Sequence, residues 1–265
     1  MKGFKFALQI YSVAQDAGKD LQDVLYKAAE MGYEGVEMND LYGHSFVEIG
    51  EMLKKAGLSA PFAHVLLSDL EKDPKYWIKG YKSIGCEYIA VPVLFDGFRP
   101  GQPGFESAKN SIVKLISLCE ENGLGLLYHN HAFEFEKIGD EYMLDVIYSK
   151  IPGLCAQLDT CWVKVGGEDP CKYMRKYAQR CPVIHLKDYL SAGGKARLPV
   201  TAPLSDTSDV FEYRPLGTGI QDIPAILEEA EKIGLDWIIV EQDAPAANTT
   251  AMECAGMSMD YLKSL

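Results

Sequence analysis

The chain has 265 residues, of which 48% are hydrophobic, so it is long enough to bury a large core as one domain. Its formal net charge of −12 repels phosphate backbones, which argues against nucleic-acid partners and favours small ligands. No apolar run approaches the ~18 residues that cross a bilayer, so we expect a soluble, cytoplasmic protein without a membrane partner. The seven cysteines include no C-x-x-C pair, which predicts reduced core thiols.

Short apolar runs alternate with amphipathic segments along the whole chain. The predicted strands are 4–11, 35–38, 59–65, 87–93, 124–131, 155–159, 183–188 and 237–243. The predicted helices are 21–32, 45–57, 74–85, 107–123, 142–151, 169–178, 223–234 and 249–265. The first two have apolar residues at helical spacing and end at Gly32 and Gly57. This alternation predicts an α/β fold, a single-domain (β/α)8 TIM barrel over residues 1–265.

An open, doubly wound nucleotide-binding sheet is the alternative fold. Such a sheet carries a Gly-rich phosphate turn after an early strand, but the sequence LQIYSVAQDAGKD at the first strand contains no G-x-G-x-x-G. Gly217-Thr218-Gly219 stands alone before a later helix and is a weak signal. The barrel is therefore preferred.

The carboxyl ends of barrel strands build active sites, so polar residues at those ends are the candidates. They are Gln9, Tyr11, Glu37, Asn39, His64, His129, His131, Glu134, Asp159, His185, Lys187, Asp188, Glu241, Gln242 and Asp243. Carboxylates gathered in one mouth without a cation repel one another, so either their pKa values rise or a divalent metal binds. Carboxylates mixed with imidazoles suit Mn²⁺, Zn²⁺, Co²⁺ or Mg²⁺.

Structural roles for single members of this set remain open. Asp159 could cap the following helix, His185 could be a hydrogen-bonded core imidazole, and Glu241 could pair with a lysine. Lys187 could form a salt bridge with Asp188.

The runs GYEGVEM, YHNHAFEFE, LDTCWVKVGGEDP, VIHLKDY, RPLGTG and WIIVEQD resemble those of the sugar phosphate isomerase/epimerase family with the xylose isomerase-like TIM barrel. That family is related to inosose dehydratases, tagatose-type 3-epimerases and endonuclease IV. The resemblance covers about residues 4–263 and implies one divalent metal, held by Glu, Asp, His and Glu side chains from strands five to eight. Asp159, His185 and Glu241 match the last three ligands.

The strand-five ligand departs from the simplest pattern of the family. Relatives with a Leu-Glu-Asn-His run have a glutamate where His129 stands here. Glu134 is the predicted replacement, because a bend at the strand end would let it reach inward, and His129 is the alternative. The predicted metal ligands are therefore Glu134, Asp159, His185 and Glu241.

The resemblance implies an isomerase or epimerase of a small carbohydrate, which is a sugar, sugar phosphate, keto-sugar or cyclitol, through a metal-stabilised enediolate. A lyase on a keto-inositol or 3-keto-glycoside, of the inosose dehydratase or C-glycoside deglycosidase type, is the alternative. The expected catalytic residues are Glu134, Glu241 and His131. The expected substrate-binding residues are Glu37, His64, His129, Trp162 and Lys187, and Trp162 would form an apolar wall.

The sequence leaves the oligomeric state open, and a homo-oligomer is possible. Two further classes of protein are weaker alternatives. An endonuclease IV-like enzyme needs clustered basic residues that this acidic chain lacks. A non-catalytic sugar-binding barrel would keep the pocket but bind no metal.

The segment 189–215 is longer than an ordinary βα loop, and we predict a long loop or lid there. Arg197 and Arg214 in this segment could meet a phosphate. Asp169, followed by Pro170, is expected to start a helix.

Overall fold

The computed structural model describes residues 3–191 and 211–265. Eight parallel strands close into one barrel, in which β1 pairs with both β2 and β8 and every other strand pairs with its neighbours in sequence. The strands are β1 (Lys5–Gln9), β2 (Gly35–Met38), β3 (Ser59–His64), β4 (Tyr88–Val91), β5 (Gly125–His129), β6 (Cys155–Asp159), β7 (Val183–Leu186) and β8 (Trp237–Val240). The predicted TIM barrel is confirmed.

Helices follow the strands and cover the outside of the barrel. The α-helices are Ala14–Ala17, Leu21–Met31, Phe46–Ala56, Leu67–Lys72, Pro74–Ser83, Phe105–Glu121, Met143–Lys150, Thr160–Val165, Pro170–Tyr177, Ile223–Ile233 and Ala251–Ser264. Short 3-10 helices span Ile10–Val13, Phe133–Phe135 and Ala178–Arg180. The predicted helix ends at Gly32 and Gly57 are confirmed, since both glycines adopt left-handed backbone angles. The Asp169 carboxylate caps the helix that Pro170 begins, also as predicted.

The inside of the barrel consists of an apolar layer with a polar layer beyond it. The apolar layer is formed by Ala7, Phe62, Ala90, Leu127, Val183 and Ile239. Side chains two residues apart on a strand share a face. The positions two residues after five members of this layer are therefore also directed inward, and they are Gln9, His64, His129, His185 and Glu241. The polar layer thus lies at the carboxyl ends of the strands.

A two-stranded hairpin occupies both ends of the predicted 189–215 loop. Asp188–Ser191 pairs with Phe211–Arg214 in antiparallel register, so the described ends of the segment are strands rather than loop. The rest of that prediction, including Arg197, falls on residues 192–210, outside the described residues. The Arg214 guanidinium lies 2.8 Å from Glu212, in an ion pair of the hairpin.

Smaller features complete the fold. A second hairpin pairs Lys137–Ile138 with Glu141–Tyr142. All seven cysteines are free thiols, as predicted. Among the described residues, no helix is both long and apolar enough to cross a membrane.

Candidate functional site

His185 of the polar layer and Glu37 of β2 form the centre of the candidate site. The Nε2 atom of His185 lies 2.7 Å from Glu37 Oε2, and its Nδ1 atom lies 2.7 Å from Glu241 Oε2. Glu37 also accepts hydrogen bonds from Gln9 Nε2 at 2.5 Å and from Gln157 Nε2 at 2.6 Å. Both carboxylate oxygens of Glu37 are therefore occupied by side chains of the protein itself.

His64 joins this network from β3. Its Nε2 atom lies 2.6 Å from Gln157 Oε1 and 3.3 Å from Glu37 Oε2, and its ring stacks parallel to that of His185 at 5.3 Å. Burial raises the pKa of Glu37, but the charges of His64 and His185 outweigh burial and hold that pKa below its ordinary value. Burial lowers the pKa of His185, but Glu37 and Glu241 together raise it to about 10.

Lys187 lies buried among three carboxylates. Its Nζ atom is 3.1 Å from Asp159 Oδ2, 3.1 Å from Glu241 Oε2 and 2.9 Å from Asp243 Oδ1. Burial lowers the pKa of Lys187, but these carboxylates more than compensate and raise it well above its ordinary value. A salt bridge between Lys187 and Asp188, one of the alternatives from the sequence, is wrong.

Asp188 binds backbone amides instead. Its Oδ2 atom accepts hydrogen bonds from the N–H groups of Gly217 at 3.1 Å and Gly219 at 2.9 Å, and its Oδ1 atom accepts those of Tyr189 at 2.9 Å and Gln221 at 3.0 Å. The Gly-Thr-Gly turn therefore surrounds a carboxylate of its own chain, which explains why this glycine pair is not a phosphate site.

Asp159 has one satisfied and one unsatisfied oxygen. Its Oδ1 atom accepts the Trp162 N–H at 2.8 Å and so caps the helix Thr160–Val165, which confirms the capping role. Its buried Oδ2 atom receives no hydrogen bond from the described residues, and the Lys187 ammonium lies 3.1 Å and His129 Nε2 4.0 Å from it. Burial raises the pKa of Asp159 to about 6, although Lys187 acts in the opposite direction.

Four buried side chains form a group that fits a metal ion. His129, Asp159, His185 and Glu241 each offer one donor atom, and these atoms lie within 4.8 Å of one another. Within the described part of the chain, the buried His129 Nδ1 and Asp159 Oδ2 atoms have no hydrogen-bond partner. Imidazole and carboxylate donors at this spacing are the ligands that zinc, manganese and cobalt prefer. The structure thus brings together three of the four predicted ligands.

Glu134 does not belong to this group. Its Oε1 atom accepts a hydrogen bond from the Tyr128 hydroxyl at 2.6 Å, and its Oε2 atom accepts the His131 N–H at 2.7 Å. Tyr128 alternates with the inward Leu127 and packs in the layer between barrel and helices. Burial raises the pKa of Glu134 to about 7. Glu134 thus closes the turn after β5, and its role as a metal ligand stays a prediction.

Aromatic side chains adjoin the polar layer on one side. The His131 ring stacks on Phe133 at 5.4 Å and lies 6.0 Å from Trp162. Trp162 stacks in turn on Phe211 at 5.8 Å, and its ring centroid lies 5.1 Å from Lys187 Nζ. The predicted apolar wall at Trp162 exists as a packed aromatic cluster, while its contact with a substrate stays a prediction.

Sequence reasoning missed three residues of the site. Gln157 lies two residues before Asp159, so the strand alternation could have shown that it points inward. Asn130 accepts the Asp159 N–H at 3.1 Å. Tyr213 donates a hydrogen bond to Asp243 from the second strand of the hairpin, and no signal in the sequence indicated that this strand exists.

A cavity of about 350 Å³ lies at the opposite end of the barrel. It is lined in part by Tyr88, Cys155 and Trp237, which begin β4, β6 and β8, and by Arg180. None of the clustered histidines or carboxylates lines it. Because the chemistry-bearing side chains meet at the carboxyl ends, we assign the candidate site there.

The fold and this polar layer define a TIM barrel with a candidate metal centre at its carboxyl-terminal mouth. Residues 25–265 match the family of xylose isomerase-like TIM barrels, and the chain belongs to that family.

Known relatives and solved structures share this architecture. An inosose dehydratase of Geobacillus kaustophilus is 27% identical, in an alignment covering 91% of this chain and 86% of the relative. A sugar phosphate isomerase/epimerase of Parabacteroides distasonis has a TM-score of 0.74 at 20% identity, covering 100% of this chain and 95% of that one. The IOLI protein, solved with a binding zinc atom, has a TM-score of 0.72 at 16% identity, with coverages of 98% and 97%.

Proposed function

We propose that this chain is a divalent-metal-dependent enzyme that acts on a small carbohydrate or cyclitol and removes the proton next to its carbonyl group. The observation that carries the proposal is the buried group of His129, Asp159, His185 and Glu241, whose donor atoms lie within 4.8 Å of one another. Two of its buried atoms, His129 Nδ1 and Asp159 Oδ2, lack a hydrogen bond among the described residues, which costs free energy unless a ligand binds there.

The proposed metal ligands are these four side chains, with His129 in the strand-five position rather than Glu134. Zn²⁺ suits two imidazoles and two carboxylates, and the zinc atom of the IOLI protein supports it, while Mn²⁺, Co²⁺ and Mg²⁺ are the other candidates. When bound, such an ion polarises a substrate carbonyl and stabilises the negative charge that develops on its oxygen.

Glu241 is the carboxylate that we propose as the base. Its Oε2 atom contacts His185 and Lys187, whereas its Oε1 atom has no hydrogen-bond partner among the described residues. Glu37 and Glu134 differ, because hydrogen bonds occupy both oxygens of each. Glu241 is therefore the one of these three carboxylates with an oxygen that no described side chain or amide occupies.

His131 is the proposed group that orients a substrate hydroxyl. Burial lowers its pKa to about 3, with a further contribution from Lys187, so the ring is neutral near pH 7. Its Nδ1 atom is buried without a hydrogen-bond partner among the described residues. A neutral imidazole can hydrogen-bond a substrate hydroxyl and orient it for proton transfer. His64 and Lys187, which were expected to bind substrate, are largely engaged with Gln157 and with carboxylates.

Loss of a hydroxyl group is the outcome that we place first. The name of the inosose dehydratase relative supports it, since a dehydratase removes water from a hydroxy-ketone. Isomerisation is the second candidate, because a single free carboxylate oxygen at Glu241 suffices when the same base takes and returns the proton. Epimerisation, in which one group takes the proton and another returns it, would need a second acid beside Glu241, and the lowered pKa of His131 disfavours that ring for the role.

The test is incubation of metal-loaded protein with keto-inositols and ketoses in deuterated water, followed by proton NMR and ultraviolet spectra. Deuterium next to the carbonyl is the expected result. A new ultraviolet band identifies elimination, whereas deuterated starting sugar or its isomer identifies isomerisation. Absence of both exchange and a new ultraviolet band across this panel, in protein shown to hold metal, would overturn the proposal.

The ligand assignment has its own test in a matched pair of variants. His129→Gln is expected to weaken Mn²⁺ or Zn²⁺ binding by about 100-fold or more, while Glu134→Gln changes it by less than about threefold, since losing one ligand costs several kcal/mol. Isothermal titration calorimetry with the metal alone measures both. A larger loss of metal affinity in Glu134→Gln than in His129→Gln would instead identify Glu134 as the strand-five ligand.

A further inference from the structure

Arg99 lies in the loop that follows β4, and two contacts fix the plane of its guanidinium group. Its Nε atom donates a hydrogen bond to the Leu94 carbonyl oxygen at 3.0 Å, and its Cζ atom lies 3.6 Å from the ring centroid of Phe133. The two terminal nitrogens, Nη1 and Nη2, contact no polar atom of the described residues. The side chain is thus held in place, while its two terminal nitrogens remain available to bind a ligand.

A continuous row of rings connects Arg99 to the candidate metal centre. Phe133, beneath the guanidinium, stacks on His131 with ring centroids 5.4 Å apart and an interplanar angle of 9°. The His131 ring lies 5.2 Å from that of His129, one of the proposed ligands. Arg99 is therefore separated from the metal-binding group by only two aromatic rings.

Three other cationic side chains among the described residues near the mouth already have polar partners. Lys187 contacts three carboxylates, and the Arg214 guanidinium pairs with Glu212. Lys164 donates a hydrogen bond to the carbonyl oxygen of Ile220. By contrast, no described carboxylate forms an ion pair with Arg99, although the chain as a whole carries a net charge of −12.

We propose that Arg99 binds an oxyanion of the substrate, a carboxylate or a phosphate ester, through its two terminal nitrogens. A guanidinium presents these nitrogens in a planar fork that matches two oxygens of either group. Because the Leu94 and Phe133 contacts hold the plane beforehand, binding orders few additional rotamers. The placement of the other end of the substrate at the metal-binding group rests on the proposed function. The contact between Arg99 and an oxyanion does not rest on it.

The test compares three probes, glucose, glucose 6-phosphate and glucuronate, by calorimetric titration of the metal-free and the Mn²⁺-loaded protein. We expect at least one anionic probe to bind about tenfold or more tightly than glucose, the effect of one good charge-assisted contact. The phosphate and uronate arms identify which oxyanion fits. Arg99→Met should reduce this preference to about twofold or less while leaving glucose binding unchanged, and Arg99→Lys should retain only part of it.

Arg175→Met is the matched control, since that arginine lies on the helix Pro170–Tyr177 and already pairs with Glu229 at 2.6 Å. It should leave the preference intact. Equal binding of all three probes, no binding of either anion, or a preference that survives Arg99→Met would each overturn the inference. A lower Tm of Arg99→Met without loss of preference identifies a purely structural role and also overturns it. If the preference depends on Arg99 but no metal binds, the proposed function fails and the inference stands.

Discussion

The imidazole of His185 is held at its Nε2 atom by Glu37, whose Oε2 atom lies 2.7 Å away. Glu37 is fixed in turn by Gln9 and Gln157. With a metal bound, a carboxylate in this position would keep the proton on Nε2 and leave Nδ1, on the side of Glu241, to act as a ligand. Glu37 is therefore best understood as a positioning residue for His185, rather than as the substrate-binding residue expected from the sequence.

Replacing Glu37 by glutamine should weaken metal binding by about 10- to 100-fold, the usual cost of losing a carboxylate that orients a histidine ligand. The amide carries no charge, so the pKa of His185, which Glu37 helps to raise to about 10, should fall. Titration calorimetry measures the affinity, and nitrogen-15 NMR of the histidine ring in metal-free protein measures its pKa. Glu34→Gln, at an exposed position just before β2, is the control. An unchanged pKa of His185 would contradict this assignment.

Lys187 provides a second prediction, because its ammonium group neutralises carboxylates that a metal ion would also neutralise. Lys187→Met should destabilise the metal-free protein by about 3–5 kcal/mol, since it leaves buried carboxylates without their partner. Saturating Mn²⁺ should then raise Tm more in the variant than in the wild type. Thermal unfolding with and without metal measures both effects.

The control for this prediction is Lys172→Met, which removes an exposed lysine paired with Glu168 at 3.0 Å. An exposed pair of this kind contributes little because water screens the two charges, so little change is expected. An equal gain in Tm on adding metal to the Lys187 variant and to the wild type would show that metal and ammonium do not share these carboxylates.

The barrel and most of its polar layer could be predicted from the sequence because both follow from short-range rules. Strand and helix alternate with clear helix-ending glycines, and polar residues at strand ends must meet at one mouth. Asp159, His185 and Glu241 were found in this way, and Gln157 could have been found by the same alternation.

The remaining part of the site depends on contacts between distant segments, which no local pattern encodes. Glu134 follows β5 closely enough to suggest a ligand, yet the hydroxyl of the outward-facing Tyr128 binds it. The partners of Lys187 and Asp188 likewise come from segments far along the chain. Tyr213 reaches Asp243 only because the ends of the 189–215 segment pair as a hairpin.

The turn whose backbone amides bind Asp188 should be destabilised strongly by a small substitution. A Cβ atom added at Gly219 would lie 2.2 Å from Asp188 Oδ1 and 2.5 Å from the Tyr189 carbonyl oxygen. Gly219→Ala should therefore lower the free energy of unfolding by about 2 kcal/mol or more, since the backbone must move and release amide hydrogen bonds to Asp188. Urea denaturation measures the change.

Gly50→Ala is the matched substitution in a roomier place. Gly50 lies within the helix Phe46–Ala56, where an added Cβ would approach Ile84 Cγ2 at an ordinary 3.4 Å. Alanine in a helix interior is expected to stabilise the protein by about 0.5–1 kcal/mol relative to glycine. Equal effects of the two substitutions would show that the turn around Asp188 tolerates a side chain.

Glu134 makes stability depend on pH in a direction that separates it from an ordinary carboxylate. Burial raises its pKa from 4.5 to about 7 in the folded protein, so folding favours the protonated form. Its stabilising contribution is complete below pH 4.5, the value in the unfolded chain, and is lost as pH rises through 7.

Glu134→Gln cannot ionise, so this variant should lack the loss of stability between pH 4.5 and 7. In metal-free protein, the free energy of unfolding of the wild type should therefore fall relative to that of the variant as pH rises from 4.5 to 7. Glu141→Gln, at an exposed position, should leave the pH profile of the wild type unchanged. A difference between wild type and the Glu134 variant that is constant with pH would show that the turn after β5 holds an ordinary, ionised carboxylate.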